Sequence, residues 1–301
     1  MKTKDWLNFW FLGLVWGTSF LWIKIAVADV SPAVLVSFRA FFGATSLAIA
    51  ILAAKKAGGF WQTLREHWFD FTFMGFFNIA VPWILISWAE QSIDSGLAAV
   101  LNSTMPLFTI MIAPLFIPDD RITLPKVVGM VIGFLGVVVL LSPDLKSDSG
   151  SNLLGQVGMM LAALSYSVSS IYARKKGARI NPEMMSMMQF VTGTVFATIF
   201  SLVAGGSFVF PKQPMTWVAL LWLGLLGSAL AYMIYFSMLK RIGPTRMSTV
   251  TYIPPMIGMM LGALFLGEQI TRISLLGAVL ILSGILIVNI QRKPAPIPVS
   301  R

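Results

Sequence analysis

Apolar residues run in long, nearly unbroken blocks along this chain, and polar residues fall between the blocks in short clusters. The pattern predicts ten helical spans, at about residues 6–28, 32–54, 69–92, 95–116, 124–142, 153–174, 182–203, 216–239, 244–266 and 271–290. Each is about 20 residues, the length a helix needs to cross a hydrocarbon core about 30 Å thick. Blocks of this length argue against a barrel, whose strands need only about ten alternating residues. Helices and closed barrels are the structures that satisfy their own backbone hydrogen bonds in lipid. The connections are short and carry Pro, Gly, Asp or Lys/Arg, as at Asp29 to Pro32, Asp94 to Gly96 and Gly243-Pro244. None has room for a soluble domain.

Composition agrees. The 301 residues are 57% hydrophobic and 11% charged, with a mean hydropathy of +0.82. A soluble domain averages about 25% charged residues, so this chain cannot cover a soluble surface. Cysteine is absent, which excludes disulfides, iron–sulfur clusters and thiol catalysis without fixing a compartment. Lys2 and Lys4 precede the first span, but no small-residue cleavage site and mature soluble domain follow it, so no cleavable leader is expected.

The net charge of +10 raises the question of nucleic acid, and its distribution answers against that partner. With the first residues placed in the cytoplasm, seventeen of the 22 Lys and Arg fall in inner segments, among them Lys55, Lys56, Arg174, Lys175, Lys176, Lys240 and Arg241. Only Lys146, Lys212 and Arg272 are left outside, with Lys24 and Arg39 inside spans near the outer side. This positive-inside bias puts both termini in the cytoplasm of a multi-pass protein of the cell (inner or plasma) membrane. Membrane lipids are therefore expected partners, and the basic inner face suits anionic headgroups.

The spans repeat. At an offset of 150, Trp16 pairs with Tyr166, Ser19 with Ser169, Lys24 with Arg174, Pro32 with Pro182 and Gly43 with Gly193. At an offset near 149, Gly75 pairs with Gly224, Ala80 with Ala229, Trp83 with Tyr232 and Pro106 with Pro255. A near-constant offset across five spans predicts two copies of one unit. Five is odd, so the second copy enters the membrane from the opposite side. The expected fold is an all-α polytopic membrane protein, ten transmembrane helices arranged as two inverted five-helix repeats. That organisation marks many secondary transporters.

At this point the residues resemble a known family. Val15-Trp16-Gly17 in span one, Phe38-Arg39 in span two, SGLAAVLNSTMPLFT at 95–109 and LFLGEQITRISLLGAVLILSGILIV at 264–288 are similar to the drug/metabolite transporter superfamily, in its ten-helix EamA branch. The Gly267-Glu268 step matches that family's turn between the last two helices of a repeat, whereas the first copy has Pro118-Asp119-Asp120 there. The resemblance implies a first repeat over 1–142, a second over 153–290 and a cytoplasmic tail over 291–301. It also implies a carrier with a central cavity between the repeats, lined by spans one, three, four, six, eight and nine, often an exporter of amino acids, other metabolites or toxic compounds. No cofactor is expected.

Counting to the middle of each span gives candidate substrate-binding residues: Trp16, Asn78, Trp83, Asn102, Tyr166, Tyr232 and Tyr252. An unpaired amide in hydrocarbon costs several kcal/mol, so Asn78 and Asn102 must face substrate, water or a neighbouring helix. The aromatics can stack on a flat or cationic ligand or simply pack. Pro106, Pro254 and Pro255 break helices at matching depths and are candidate hinge or gating points, with ordinary kinked helices as the plainer reading. Arg39 and Glu90 share a depth near the outer side and are expected to form an ion pair; an outer gate or a proton-linked carboxylate is the alternative. No Asp or Glu sits at the midplane, which favours facilitated exchange or uniport unless Glu90 titrates. Glycine steps Gly129–Gly133 and Gly258–Gly262 are expected to pack helices within a monomer or weak homodimer. The 18 methionines read as adaptable apolar packing rather than a soft-metal site.

An enzyme is not expected, since no histidine lies in a span to activate Ser228 and no paired carboxylates exist at mid-membrane. A channel-like protein, or a non-transporting sensor or assembly subunit, is the alternative to a carrier of a small neutral or zwitterionic metabolite or a lipophilic drug-like compound.

Overall fold

In the computed structural model, residues 3–54, 60–117, 122–143, 145, 150–176, 181–204, 208–242 and 247–289 are described. The turn expected at Pro118 to Asp120 and the tail after Ile290 lie outside them. Among the described residues all regular structure is helical. The chain runs α1 (Thr3–Val27), α2 (Pro32–Ala53), α3 (Phe60–Met74), a π-helical turn (Gly75–Ala80), α4 (Val81–Ala89), α5 (Ser95–Asn102), α6 (Met105–Phe116) and α7 (Leu124–Leu141). It continues as α8 (Gly150–Lys176), α9 (Pro182–Val203), α10 (Pro214–Leu221), a second π-helical stretch (Trp222–Leu230), α11 (Ala231–Ile242), a 3₁₀ turn (Ser248–Tyr252), α12 (Ile253–Leu266) and α13 (Arg272–Val288).

Eight of the resulting spans are long and apolar enough to cross a membrane. The last two, Val250–Leu266 and Arg272–Val288, are apolar but shorter. Large apolar side chains cover the outside of the bundle, with Leu115, Leu264 and Phe265 at least 70% exposed. A surface of that kind is stable against lipid tails and not against water. Span three is longer than its apolar block suggests. It starts at Phe60, with a non-helical kink at His67 where the polar approach segment meets the apolar run.

Glycine sets the closest helix approaches. On α7, Gly129 and Gly136 face the α13 backbone, and a Cβ on Gly136 would lie 2.8 Å from the Gly277 carbonyl oxygen. On α1, Gly17 admits the side chain of Ile257 from α12. Gly258 takes the Ala99 methyl from α5. Without a hydrophobic drive between helices in lipid, such backbone-close contacts supply the packing energy. Met184, Met187 and Met188 on α9 are buried in the same core.

Candidate functional site

Two π-helical stretches shape the middle of the bundle. A π turn widens the helix and loosens its carbonyls, and side chains from distant helices take them up here. Ser165 of α8 donates to the Phe77 carbonyl at 2.7 Å, and Trp16 of α1 donates through Nε1 to the Gly227 carbonyl at 3.2 Å. Within the second stretch Ser228 donates to Leu223 at 2.8 Å. Three of the carbonyls in these stretches are thus taken up by side chains of the protein.

Polar side chains gather around them. Asn78 projects from the first π turn, donates to Gln189 Oε1 of α9 at 2.9 Å and accepts from Ser169 of α8 at 3.0 Å. The Tyr232 hydroxyl hydrogen-bonds Asn78, and the Tyr166 hydroxyl lies in hydrogen-bonding reach of Trp83. Phe190 joins them, its ring 5.7 Å from Trp83 and 5.1 Å from Tyr232. Arg39 of α2 completes the group. Its Cζ lies 3.8 Å from the Trp83 ring centroid, and its Nε donates to Ser228 Oγ at 3.3 Å. Helices α2, α4, α8, α9 and α11 thus converge on one polar centre in an apolar bundle.

Of the expected site residues, Asn78, Trp83, Tyr166 and Tyr232 come together here. Trp16 is committed to Gly227 and lies 5.8 Å from the Tyr235 ring. Asn102 ends α5 at the helix break before Pro106, and its Oδ1 is buried without a hydrogen-bond partner. Tyr252 is drawn away, since its hydroxyl accepts from Asn289 at 2.7 Å beyond the end of α13. Pro106 sits in the first turn of α6, and Pro254 and Pro255 in the first turn of α12, each just after a break in its span. Proline there needs no amide donor, so each starts a fresh helix rather than straining a continuous one.

The expected contact between Arg39 and Glu90 does not form. Arg39 turns to Trp83 and Ser228, while Glu90 is fully buried and neither of its carboxylate oxygens has a hydrogen-bond partner. Gln189, Phe190 and Ser169 join the centre without having been expected there from the sequence. Gln189 stands where the offset of 150 places the counterpart of Arg39, which is the signal that could have found it.

A second cluster closes the end of the bundle that holds the α4–α5 turn. Lys24 donates to the carbonyls of Glu90 at 2.6 Å and Ile93 at 2.7 Å, capping the electronegative end of α4. Asp94 holds the N-cap position of α5, yet its side chain caps nothing. Glu268 does so from the other half of the chain. Its carboxylate accepts from Ser95 N at 2.8 Å, Gly96 N at 3.1 Å and Ser95 Oγ at 2.9 Å. Burial, reinforced by the Glu268 charge, pushes the Asp94 carboxyl above its ordinary range. Nearby, Asp29 accepts from the backbone of Lys212 at 2.9 Å and Gln213 at 3.0 Å. The Gln213 amide above all holds the Asp29 carboxyl below its usual range. At the opposite end, Asp70 of α3 meets His67, Tyr172 and Lys176, and Asp5 pairs with Arg241 at 3.4 Å.

An all-helical membrane bundle with a sparse polar centre suits a transport protein, and the comparisons supply the class. The model of the EamA-like transporter family matches residues 6–142 and again 153–290, and the chain belongs to that family. It is similar to the "Uncharacterized transporter YoaV" of Bacillus subtilis, 26% identical over 278 residues, covering 90% of this chain and 92% of that one. It is 27% identical over 301 residues to the "Uncharacterized inner membrane transporter YedA" of Escherichia coli K12, covering 96% and 93%. A crystal structure of another protein superposes with a TM-score of 0.66 at 21% identity, covering 96% of this chain and 98% of that chain, which shows a shared fold. The protein is a multi-pass membrane transporter and not an enzyme.

Proposed function

We propose that this protein is a secondary carrier that moves a small metabolite or drug-like compound through the polar centre by alternating access, as an exporter across the cell membrane. The observation that carries this reading is the centre itself. Asn78 and Gln189, then Arg39 and Ser228, join residues from the two halves of the chain at mid-bundle. Carrier sites lie at such an interface, where helices are interrupted.

The inverted five-plus-five repeat is part of the proposal. The π-helical stretches at Gly75–Ala80 and Trp222–Leu230 fall at matching positions under the offset near 149. Helix α7 packs on α13, its counterpart, and α2 on α9. Alternating access needs ends that close in turn. Glu268 on α5 and Asp29 on Lys212 and Gln213 tie the proposed outer end, and Asp5–Arg241 and Asp70–Tyr172 tie the proposed inner end. Export is the direction that the family resemblance suggests. A channel would need a polar filter or charge ring, and the polar centre has neither form.

The test is a metabolite and toxic-analogue resistance screen in cells overproducing the protein, followed by counterflow of a confirmed substrate in proteoliposomes. A carrier shows trans-acceleration. Its absence, or transport untouched by Tyr232→Ala and Asn102→Ala together, overturns the proposed route.

A further inference from the structure

Arg39 is the one charged residue of the polar centre, and its surroundings do not account for it. It sits seven residues into α2, about 10 Å below the start of that helix at 1.5 Å per residue. The side chain is 7% exposed. Only Nε has a protein acceptor, Ser228 Oγ. The ring of Trp83 takes one face of the guanidinium. The two Nη groups have no acceptor among the described residues, and they are not among the atoms sealed from open space, whereas both Glu90 oxygens are. Among the described residues no carboxylate lies within ion-pair distance of the guanidinium, and the buried Glu90 carboxyl acts on it only from farther off.

A guanidinium taken out of water without a counter-ion is costly, by several kcal/mol after relaxation. An intramembrane charge that keeps no partner is retained for a ligand or an ion path. Trp83 and Ser228 fix the plane of the group through stacking and the Nε bond. The two Nη donors are left side by side, the fork that matches the two oxygens of a carboxylate. Beside it stand Tyr166 and Tyr232, both partly exposed, whose rings can meet the body of a ligand, whereas Phe190 is fully buried behind them and Arg39 covers the Trp83 face. The amide oxygens nearby are occupied, Asn78 Oδ1 by Ser169 and Gln189 Oε1 by Asn78. These two oxygens are therefore not free to select for a cation.

We infer that Arg39 is a carboxylate-binding group and that the transported compound is a small organic acid with an apolar or aromatic body, its carboxylate held by the Nη pair and its body against Tyr166 and Tyr232. This inference rests on the carrier reading given above. One positive charge suits a single carboxylate and not a polyanion. Ligand binding would supply a carboxylate in direct contact, so the acid gains a charge-assisted contact that an uncharged analogue of equal shape cannot make.

The test uses the purified full-length protein in detergent and a matched pair of probes, phenylacetate and phenylacetamide, which share a shape and differ in charge. Acetate and 3-phenylpropionate vary the body. Phenylacetate or 3-phenylpropionate is expected to raise the thermal midpoint in a saturable way, and phenylacetamide to do so at least roughly tenfold more weakly. Arg39→Gln is expected to remove the difference between acid and amide, and Arg39→Lys, which keeps the charge without the fork, to restore part of it. The wild-type comparison stands even if Arg39→Gln does not fold. Equal stabilisation by phenylacetamide and phenylacetate overturns the inference while leaving a carrier of uncharged compounds in place. Stabilisation by none of the three acids overturns it as well, and the resistance screen then decides the carrier reading separately.

Discussion

Glu268 caps a helix in the other half of the chain: its carboxylate receives the backbone amides of Ser95 and Gly96 and the Ser95 hydroxyl. The local sequence makes this geometry. Gly267 ends α12 in the left-handed region at φ 69°, and the Glu268 amide returns to the Gly262 carbonyl at 3.1 Å. That closure turns the Glu268 side chain across to α5. Gly262 has no side chain because the carboxylate passes over it, with Ser95 Oγ 2.8 Å from where a Cβ would stand.

Replacing Glu268 by Gln keeps the shape and removes the charge from the α5 cap. We expect a loss of about 1–2 kcal/mol from the closed end. The chain has no native cysteine, so Ser87, which is 1% exposed on the last turn of α4 next to this end, can be replaced by a single Cys reporter and labelled without background. Labelling of Ser87→Cys by a membrane-impermeant maleimide should be faster with Glu268→Gln than without it. Equal rates would show that Glu268 does not hold this end shut.

Gly267→Ala should cost about 1 kcal/mol, because alanine at positive φ carries a strain that glycine does not. Gly267→Asn should cost less, since asparagine tolerates this region. Thermal midpoints of the two variants in the same detergent give the ranking.

Asp29 supplies a pH dependence whose sign can be worked out. Its carboxyl is held below the ordinary range in the folded protein, so the contribution is present above the unfolded value of about 3.9. It is lost as pH falls through the lower folded value. Hydrogen exchange corrected for intrinsic rates should show the Lys212 and Gln213 amides losing protection below about pH 4. In Asp29→Asn they should be poorly protected at every pH.

Glu90→Met should stabilise the protein. It removes a fully buried carboxyl group whose two oxygens have no hydrogen-bond partner, an effect of about 1–3 kcal/mol. A thermal midpoint at pH 8 that is lower than wild type would show that the carboxylate is stabilised by the nearby Lys24 after all.

Gly284→Val should prevent the α7–α13 contact. A Cβ there would stand 2.6 Å from the Gly133 amide nitrogen, and backbone cannot move aside as a side chain can. Loss of monodisperse protein on size exclusion is the expected outcome, whereas Gly267, with nothing within 4 Å of a Cβ, fails only by strain.

Membrane class, most helix positions and the polar face of span three were legible in the sequence, because long apolar blocks leave no other stable state in lipid and because Asn78, Trp83, Tyr166 and Tyr232 are conspicuous at mid-span. Gly267-Glu268 was legible as a turn, and the small residues as packing sites. What Glu268 does was not, since its partners Ser95 and Gly96 lie more than 170 residues away. The same holds for Arg39: its depth and its rank among few charges suggested an ion pair with Glu90, and only the folded arrangement turned it to Trp83 and Ser228. Helix formation in an apolar medium is decided locally, by each segment's need to satisfy its own backbone. The partner of a polar side chain is decided by which helices meet, and that depends on backbone approach at residues such as Gly17, Gly129 and Gly136, which no single span encodes.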